Sequence, residues 1–120
     1  MYPKAYLFKR IQDAKIFIDR NYCDPLDLNL VAQKVYLSKY HFLRLFKEAY
    51  GTSPHQYLIS RRIAYAKKLL REGESVSHTC HQIGFESVSS FSCLFKKHVG
   101  ISPSHYQKQR DVTVTDSNFR

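Results

Sequence analysis

The sequence has little glycine and proline and no tryptophan, with four residues each of the first two among 120. So few turn-forming residues argue against a sandwich of many short strands and permit long helices. No apolar run approaches the roughly 18–20 residues that a membrane-spanning helix needs. The start, Met1-Tyr2-Pro3-Lys4, leads into an amphipathic stretch and not into a signal-peptide core. At 43% hydrophobic and 24% charged residues, the chain can bury a core, and its length suits one domain or two very small ones.

Cysteine is scarce, and Cys23, Cys80 and Cys93 include no C-x-x-C pair. An odd number does not suit a secreted disulfide framework, so we expect a reducing cytoplasm. The segment His78-x-Cys80-His81 lacks a fourth metal ligand, and we interpret Cys80 as a buried thiol. Cys93 has no base beside it that would make it a nucleophile. Motifs for phosphate loops and for serine or zinc hydrolases are missing, so we predict no metal, no cofactor and no enzyme.

Acidic residues are outnumbered, since 10 Asp and Glu face 19 Lys and Arg for a net charge of +9. A surplus that large on a short chain indicates a polyanionic partner, nucleic acid first and an anionic membrane second. Residues 36–110 hold twelve basic and four acidic residues, whereas residues 1–35 hold six and four. The binding surface is therefore expected mainly within residues 36–110.

Apolar residues recur at helical spacing along most of the chain. One stripe of a first helix consists of Leu7, Ile11, Ala14, Ile18 and Tyr22. Capping residues, glycine stops and Ser-Pro starts predict the helices that follow, at 28–34, 38–50, 54–71, 75–82, 87–99 and 103–110. The polar residues 111–120 are predicted to be a flexible tail. The sequence thus predicts an all-α chain of about seven helices.

The chain also repeats itself at a distance of 49 residues. Residues 38–57 and 87–106 are identical at nine of twenty positions. Each copy has a short helix, a tight break, a capped helix, a glycine stop and a Ser-Pro start. A short helix, a turn and a second helix form the helix-turn-helix pattern, whose second helix enters the major groove of DNA. Two copies on a basic chain therefore predict DNA binding through helices 38–50 and 87–99.

Several short motifs occur in a fixed order along the chain. The first unit carries Leu28-x-x-Val31-Ala32, Leu37-Ser38 and Arg44-Leu45-Phe46-Lys47, and the linking helix carries Arg62-Ile63-x-x-Ala66-x-x-Leu69-Leu70. The second unit carries Ile83-Gly84-Phe85-Glu86-Ser87, Phe91, Leu94-Phe95-Lys96-Lys97, Gly100 and Ser102-Pro103-x-x-Tyr106. In this order and spacing, from about residue 11 to 106, the chain resembles the DNA-binding domain of the AraC/XylS family of bacterial transcription regulators.

The resemblance implies two helix-turn-helix subdomains joined by a rigid helix, with their recognition helices in successive segments of the major groove. We expect the first subdomain at 1–52, the linker helix at 53–72, the second subdomain at 73–110 and the tail at 111–120. The expected partners are double-stranded DNA and, as a further candidate, RNA polymerase. The family usually joins this domain to a sensing or dimerisation domain. We therefore expect the isolated domain to be a monomer, with any dimerisation through an N-terminal domain outside this chain.

The first recognition helix has an inward stripe, expected to be core, made of Phe42, Leu45, Phe46 and Ala49. Predicted base contacts lie on its other side, at Tyr40, Leu43 and Arg44. A forked pair of hydrogen bonds lets Arg44 grip guanine O6 and N7, and the alternative is a solvated charge or an internal salt bridge. Leu43 suits a thymine methyl. Tyr40 suits a sugar or a thymine methyl, and core packing is its alternative.

On the second recognition helix, the residues expected inside are Phe91, Leu94 and Phe95. The predicted base contacts are Val88, Ser89, Ser90, Ser92 and Cys93. Serine hydroxyls discriminate little between bases, and Cys93 replaces the arginine that Arg44 supplies in the first copy. The second unit is therefore expected to read DNA less strongly, and a solvated polar face is the alternative.

Phosphate contacts are predicted at the two caps and the basic residues near them. These residues are Ser38, Lys39, Lys47, Arg62, Ser87, Lys96 and Lys97. An alternative role for Arg62 is to tie the linker helix to a subdomain. Two functions compete with sequence-specific regulation: a DNA- or protein-binding module without sequence choice, and a cysteine-dependent repair enzyme. The two units leave no room for a catalytic domain, so the enzyme is disfavoured.

Overall fold

The computed structural model describes residues 3–109, and all regular structure within that range is helical. The helices are α1 (Lys4–Asn21), α2 (Leu28–Lys34), α3 (Lys39–Tyr50), α4 (Pro54–Arg71), α5 (Val76–Gln82) and α6 (Val88–Val99). A seventh, α7, occupies residues 103–109. The predicted all-α fold is therefore confirmed. The predicted tail at 111–120 lies outside the described residues, and none of the helices described is long and apolar enough to cross a membrane.

The two recognition helices α3 and α6 begin and end in the same way. The Oγ atom of Ser38 accepts a hydrogen bond from the backbone N–H of His41 at 3.2 Å. Ser87 Oγ accepts from the N–H of Ser90 at 3.1 Å, which satisfies one of the free donors of the first turn. At the other ends, Gly51 and Gly100 have φ of 76° and 99°. A side chain there would strain the backbone, so glycine fixes both helix ends.

Contacts divide the chain into two units, 1–61 and 62–120, with the boundary inside α4. The first unit packs around a core whose buried members are Ile11, Ala14, Ile18, Val31, Ala32, Val35, Phe42, Leu45, Phe46 and Leu58. The predicted stripe of α1 lies against this core, with Leu7 and Tyr22 half-buried at its ends. Burial of this apolar surface on both α1 and α3 orients the first recognition helix.

The second unit has its own aromatic core. Phe91 and Phe95 are fully buried, and their ring centroids lie 5.7 Å apart in an edge-to-face arrangement. Phe85 packs on Phe91 at 5.6 Å. Cys80 is buried, as expected, and burial raises the pKa of its thiol. The core of this unit thus leaves the opposite side of α6 to solvent.

Two of the residues expected inside are not buried. Ala49 is exposed, because in the last turn of α3 the half-buried Tyr50 ring covers the core instead, 4.9 Å from the Phe46 centroid. Leu94 is only half-buried and lines a surface groove beside Cys93. Its counterpart in the repeat, Leu45, is 4% exposed. The matched position of the repeat is therefore more accessible on α6 than on α3.

Candidate nucleic-acid interface

The solvent side of α3 carries all three residues predicted to read bases from the first unit. Tyr40 is 70% exposed and Leu43 is 40% exposed. The Arg44 side chain is 50% exposed, and Lys47 follows one turn later on the surface. The exposure of Tyr40 rules out its alternative, core packing. An aromatic ring, an apolar side chain and a guanidinium therefore share the outward side of a helix fixed by its core.

Arg44 takes part in the internal salt bridge that was its alternative role. Its Nη1 atom lies 3.8 Å from Glu48 Oε2, and Lys4 Nζ lies 3.3 Å from the other carboxylate oxygen of Glu48. All three side chains are substantially exposed, so the pairing is weak and screened by salt. Arg44 therefore shares its carboxylate partner with a second cation and keeps an exposed guanidinium.

The second recognition helix presents a smaller and more polar surface. Val88 is 41% exposed, and Ser89, Ser90 and Cys93 are also exposed, whereas Ser92 is half-buried. Ser92 corresponds in the repeat to the exposed Leu43, so this position is less accessible on α6. Small hydroxyl and thiol groups have short reach, and they select weakly among base edges.

A shallow groove runs along the outward side of α6. It is lined by Phe85, Ser89, Ser90, Cys93, Leu94 and Lys97, with a volume of about 600 Å³. The half-buried Leu94 and Phe85 form its apolar wall. The Lys97 ammonium adds the positive charge. The groove therefore places an apolar wall beside a cation on the outward side of α6.

The predicted phosphate contacts fall into three structural settings. Ser38 and Ser87 are helix caps, and Ser87 also donates a hydrogen bond to Ser90 Oγ at 3.0 Å. The lysines are all exposed, with Lys39 at the beginning of α3, Lys47 in its last turn, and Lys96 and Lys97 in the last turn of α6. The half-buried Arg62 lies over the Phe85 ring, 5.7 Å from its centroid. Through this contact Arg62 ties helix α4 to Phe85, which is the alternative role that the sequence predicted for it.

Sequence reasoning missed a group that α1 and the turn before α3 bring together. The Arg10 guanidinium lies 4.8 Å from the ring centroids of both Tyr6 and Tyr36, and it donates to the Tyr6 hydroxyl. Tyr36 is 79% exposed, and at φ 61° it has the left-handed conformation. A tyrosine in this conformation is rare and costly, which marks the site. The only sequence signal was the tight break predicted at residues 35–37.

Over the described residues, no group of three or more His, Cys, Asp and Glu side chains is arranged to hold a metal. In the His78-x-Cys80-His81 segment, the two histidines are exposed and the cysteine is buried. His78 Nε2 instead lies 3.5 Å from a Glu74 carboxylate oxygen on the surface. This segment therefore forms the beginning of the second unit's helix-turn-helix and directs its cysteine into the core.

Comparison with known proteins decides the family. A family model described as a helix-turn-helix domain matches residues 31–109. The solved regulator from Chromobacterium violaceum with an AraC-type DNA-binding domain has a TM-score of 0.75 and 29% identity, over 85% of this chain and 92% of that one. This chain belongs to the AraC-type helix-turn-helix family. The resemblance in the sequence is thereby confirmed.

Further relatives include one protein named for multiple antibiotic resistance and two named as a transcriptional regulator or factor. The multiple antibiotic resistance protein MarA of Salmonella typhimurium is 33% identical over 92 residues, 76% of this chain and 72% of MarA. The uncharacterised regulator YdiP of Escherichia coli K12 is 34% identical over 82% of this chain and 33% of its own length. The DNA-binding domain of AdpA, solved in complex with a target DNA, has a TM-score of 0.80 at 25% identity, covering 86% and 94% of the two chains.

The AraC-type relatives are mostly longer than this chain. The chain spans 33% of the length of YdiP and 37% of the length of LumQ from Photobacterium leiognathi. It spans 58% of the regulator in the cgkA 5' region of Pseudoalteromonas carrageenovora. What those regulators do as whole proteins therefore concerns more than the segment that matches this chain.

Proposed function

We propose that this AraC-type chain is a sequence-specific regulator of transcription that binds double-stranded DNA through α3 and α6. One observation carries the proposal: two helices with the same cap, core face and glycine stop each turn an uncovered face to solvent. In helix-turn-helix proteins the second helix of each motif lies in the major groove. The solved AdpA domain, which is similar in fold, was obtained with a target DNA. The net charge of +9 supports a polyanionic partner.

The proposed contacts differ between the two helices. On α3, Arg44 reads a guanine, Leu43 meets a thymine methyl, and Tyr40 lies against sugar or methyl. On α6, the reading residues are Val88, Ser89, Ser90, Ser92 and Cys93. Phosphates are held by Ser38, Lys39, Lys47, Arg62, Ser87, Lys96 and Lys97. For Arg62, the stacking on Phe85 supports a positioning role more than a direct one.

The organisation of the protein is part of the proposal. It comprises two subdomains at 1–52 and 73–110, a linker helix at 53–72, no catalytic site, and RNA polymerase as a further partner. On this proposal the chain is a monomer by itself. Sedimentation of the chain with and without a DNA duplex tests this, because one copy per duplex is expected and two copies would contradict it.

A second candidate is DNA binding without sequence choice. The polar face of α6 favours it, since exposed serines serve phosphates as readily as base edges. In that case the basic surface alone would determine affinity, and all sequences would bind with similar strength.

Selection of bound duplexes from a random DNA pool separates the two candidates. We expect one enriched motif with two reading zones about one helical turn apart. The selected duplex is then competed against bulk DNA at a fixed, stated salt concentration. Specific reading predicts a preference of about 10³-fold or more, as for other specific DNA-binding proteins. An unenriched pool and equal competition by bulk DNA would contradict sequence-specific reading.

A further inference from the structure

A cavity of about 660 Å³ lies within the first unit, beside the first turn of α3. Its walls come from the start of α1, the turn before α3, and α3 itself. We name it the basic pocket, and its lining residues are Lys4, Tyr6, Leu7, Arg10, Tyr36, Leu37, Ser38, His41 and Arg44. The volume falls within the range of ligand pockets, about 300–1,000 Å³. Two of these residues, Ser38 and Arg44, are also predicted DNA contacts, whereas the other seven have no predicted role in DNA binding.

The lining of the basic pocket combines apolar side chains with three cations. Leu7 and Leu37 supply aliphatic walls, and the Tyr6 and Tyr36 rings supply aromatic ones. Tyr36 is held in place because the Arg10 guanidinium stacks on its ring at 4.8 Å. A few polar groups on an apolar lining are typical of sites for small organic molecules. The walls therefore suit an apolar body with an aromatic ring.

The charges of the basic pocket favour an anion. Three cations, Lys4, Arg10 and Arg44, line it, and Glu48 is the carboxylate that pairs with two of them, at 3.3 Å and 3.8 Å. Positive charge remains in excess even when the longer-range attraction between Arg10 and Asp13 is counted. A guanidinium has five donors in a planar fork that matches a carboxylate. One donor of Arg10 makes a hydrogen bond to the Tyr6 hydroxyl.

We propose that the basic pocket binds a small aromatic carboxylate, whose ring lies among Tyr6, Leu7, Tyr36 and Leu37 and whose carboxylate pairs with Arg10. The effect of the ligand on DNA binding rests on the proposed function, whereas binding of the ligand itself does not. Arg44 is both a wall of the pocket and the proposed guanine reader. A bound carboxylate attracts the Arg44 guanidinium and withdraws it from DNA, so ligand and DNA weaken each other's binding by the same factor.

The direct test uses the whole chain without DNA and two probes of nearly equal shape, 2-naphthoate and the neutral 2-naphthamide. Binding is followed by NMR shifts at constant ionic strength. The test variant is Arg10→Gln, and the matched control is Arg20→Gln, an exposed arginine in the last turn of the same helix. We expect Arg10→Gln to weaken naphthoate about tenfold, because hydrogen bonds to charged groups are strong. Arg20→Gln should leave both probes unchanged, and Arg10→Gln should weaken naphthamide much less than naphthoate, because only naphthoate loses an ion pair.

A second variant, Tyr36→Asn, tests the apolar wall and keeps a residue that tolerates positive φ. Both probes should weaken in this variant, because the ring is lost whatever the charge of the ligand. Circular dichroism of each variant checks that the helices remain. Equal loss of naphthoate binding in Arg10→Gln and Arg20→Gln would overturn the proposal. Probe-induced shifts confined to residues 62–109 would do the same.

The regulatory part is measured with a duplex selected in the absence of probe. Saturating naphthoate should weaken DNA binding by the wild-type chain, and naphthamide should not. Arg10→Gln should remove the effect. An affinity for DNA that naphthoate leaves unchanged would overturn the proposed coupling. If the chain binds no DNA even without probe, the proposed function and the coupling both fail. The NMR titration still tests whether the basic pocket binds the aromatic carboxylate.

Discussion

Tyr57 of α4 donates its hydroxyl hydrogen to the Asp19 carboxylate of α1, across 38 residues of sequence. Lys15 donates to the second carboxylate oxygen at 3.2 Å, and Arg61 Nε lies 3.4 Å from the first. In the repeat, Tyr106 takes the opposite role and accepts a hydrogen bond from Arg71 at 2.7 Å. Within the first unit, this carboxylate therefore joins the beginning of α4 to the helix that supports α3.

Removing the Tyr57 hydroxyl should destabilise the first unit. Tyr57→Phe keeps the ring, which packs on Phe46 at 5.7 Å, but removes a hydrogen bond to a charged carboxylate. We expect a loss of about 1.5–3 kcal/mol in the free energy of unfolding, measured by urea denaturation. The matched change in the second unit is Tyr106→Phe, where the donor Arg71 is exposed and water can replace the lost acceptor. A loss at Tyr106 equal to that at Tyr57 would contradict this account.

The pH dependence of stability should carry the signature of Asp19. Burial alone would raise the pKa of Asp19, but the hydrogen bonds from Tyr57 and Lys15 and the charge of Arg61 outweigh burial and lower it from 3.8. Because the folded pKa lies below the unfolded one, the carboxylate stabilises the fold above about pH 4, and this stabilisation is lost as pH falls through the folded pKa. We expect Asp19→Asn to be less stable at pH 7 and the difference from wild type to narrow toward pH 2–3. A difference independent of pH would contradict the charged role of Asp19.

Thr79 should be replaceable by valine with a gain in stability. Its side chain is fully buried in α5, and its hydroxyl oxygen makes no hydrogen bond among the described residues. An unsatisfied buried hydroxyl costs free energy that a methyl group of nearly the same size does not. We expect Thr79→Val to raise the free energy of unfolding by about 1 kcal/mol. The control Thr52→Val, at a half-exposed hydroxyl that donates to Gln56, should give no gain.

Binding to DNA should weaken steeply as salt rises. Each phosphate neutralised by a lysine or arginine releases counterions, and we expect contacts to about 4–8 phosphates. The exposed Lys96 of α6 is a proposed phosphate contact, so Lys96→Ala should weaken all sequences about equally and reduce the salt slope by about one. The control Lys9→Ala, at an exposed lysine of α1 outside the proposed interface, should leave the slope unchanged. Affinity nearly independent of salt would contradict the proposed phosphate contacts.

Specificity should be concentrated in the half of the site that α3 reads. Arg44→Ala should cost about 1–3 kcal/mol and relax the preference at one or two base pairs, because a forked donor is lost. Cys93→Ala should change little, since a thiol is a weak donor. Cys93→Arg should tighten binding to some sequences by supplying the missing fork. A base-by-base scan of the selected site with all three variants measures this asymmetry, and equal relaxation by Arg44→Ala and Cys93→Ala would contradict it.

The amino-acid sequence was enough to locate the helices. Their ends depend on residues within four positions of each other, as in Ser38 with His41 or Gly51 with Lys47. Such local interactions can be predicted from residue spacing. Because the sequence repeats after 49 residues, the helix ends predicted in one copy could be compared with those in the other. The same locality made the exposure of Tyr40, Leu43 and Arg44 predictable from the buried stripe of α3.

The contacts between one helix and another became visible only in the folded chain. Helical spacing predicted that Ala49 and Leu94 are buried. In the structure Ala49 is exposed in the last turn of α3, and the half-buried Leu94 lines a groove. The pairing of Asp19 with Tyr57 and the stacking of Arg10 on Tyr36 join residues distant in sequence. Their contacts depend on how helices pack in three dimensions, which no local pattern records, because the period of a helix fixes the direction of a side chain but not its neighbour.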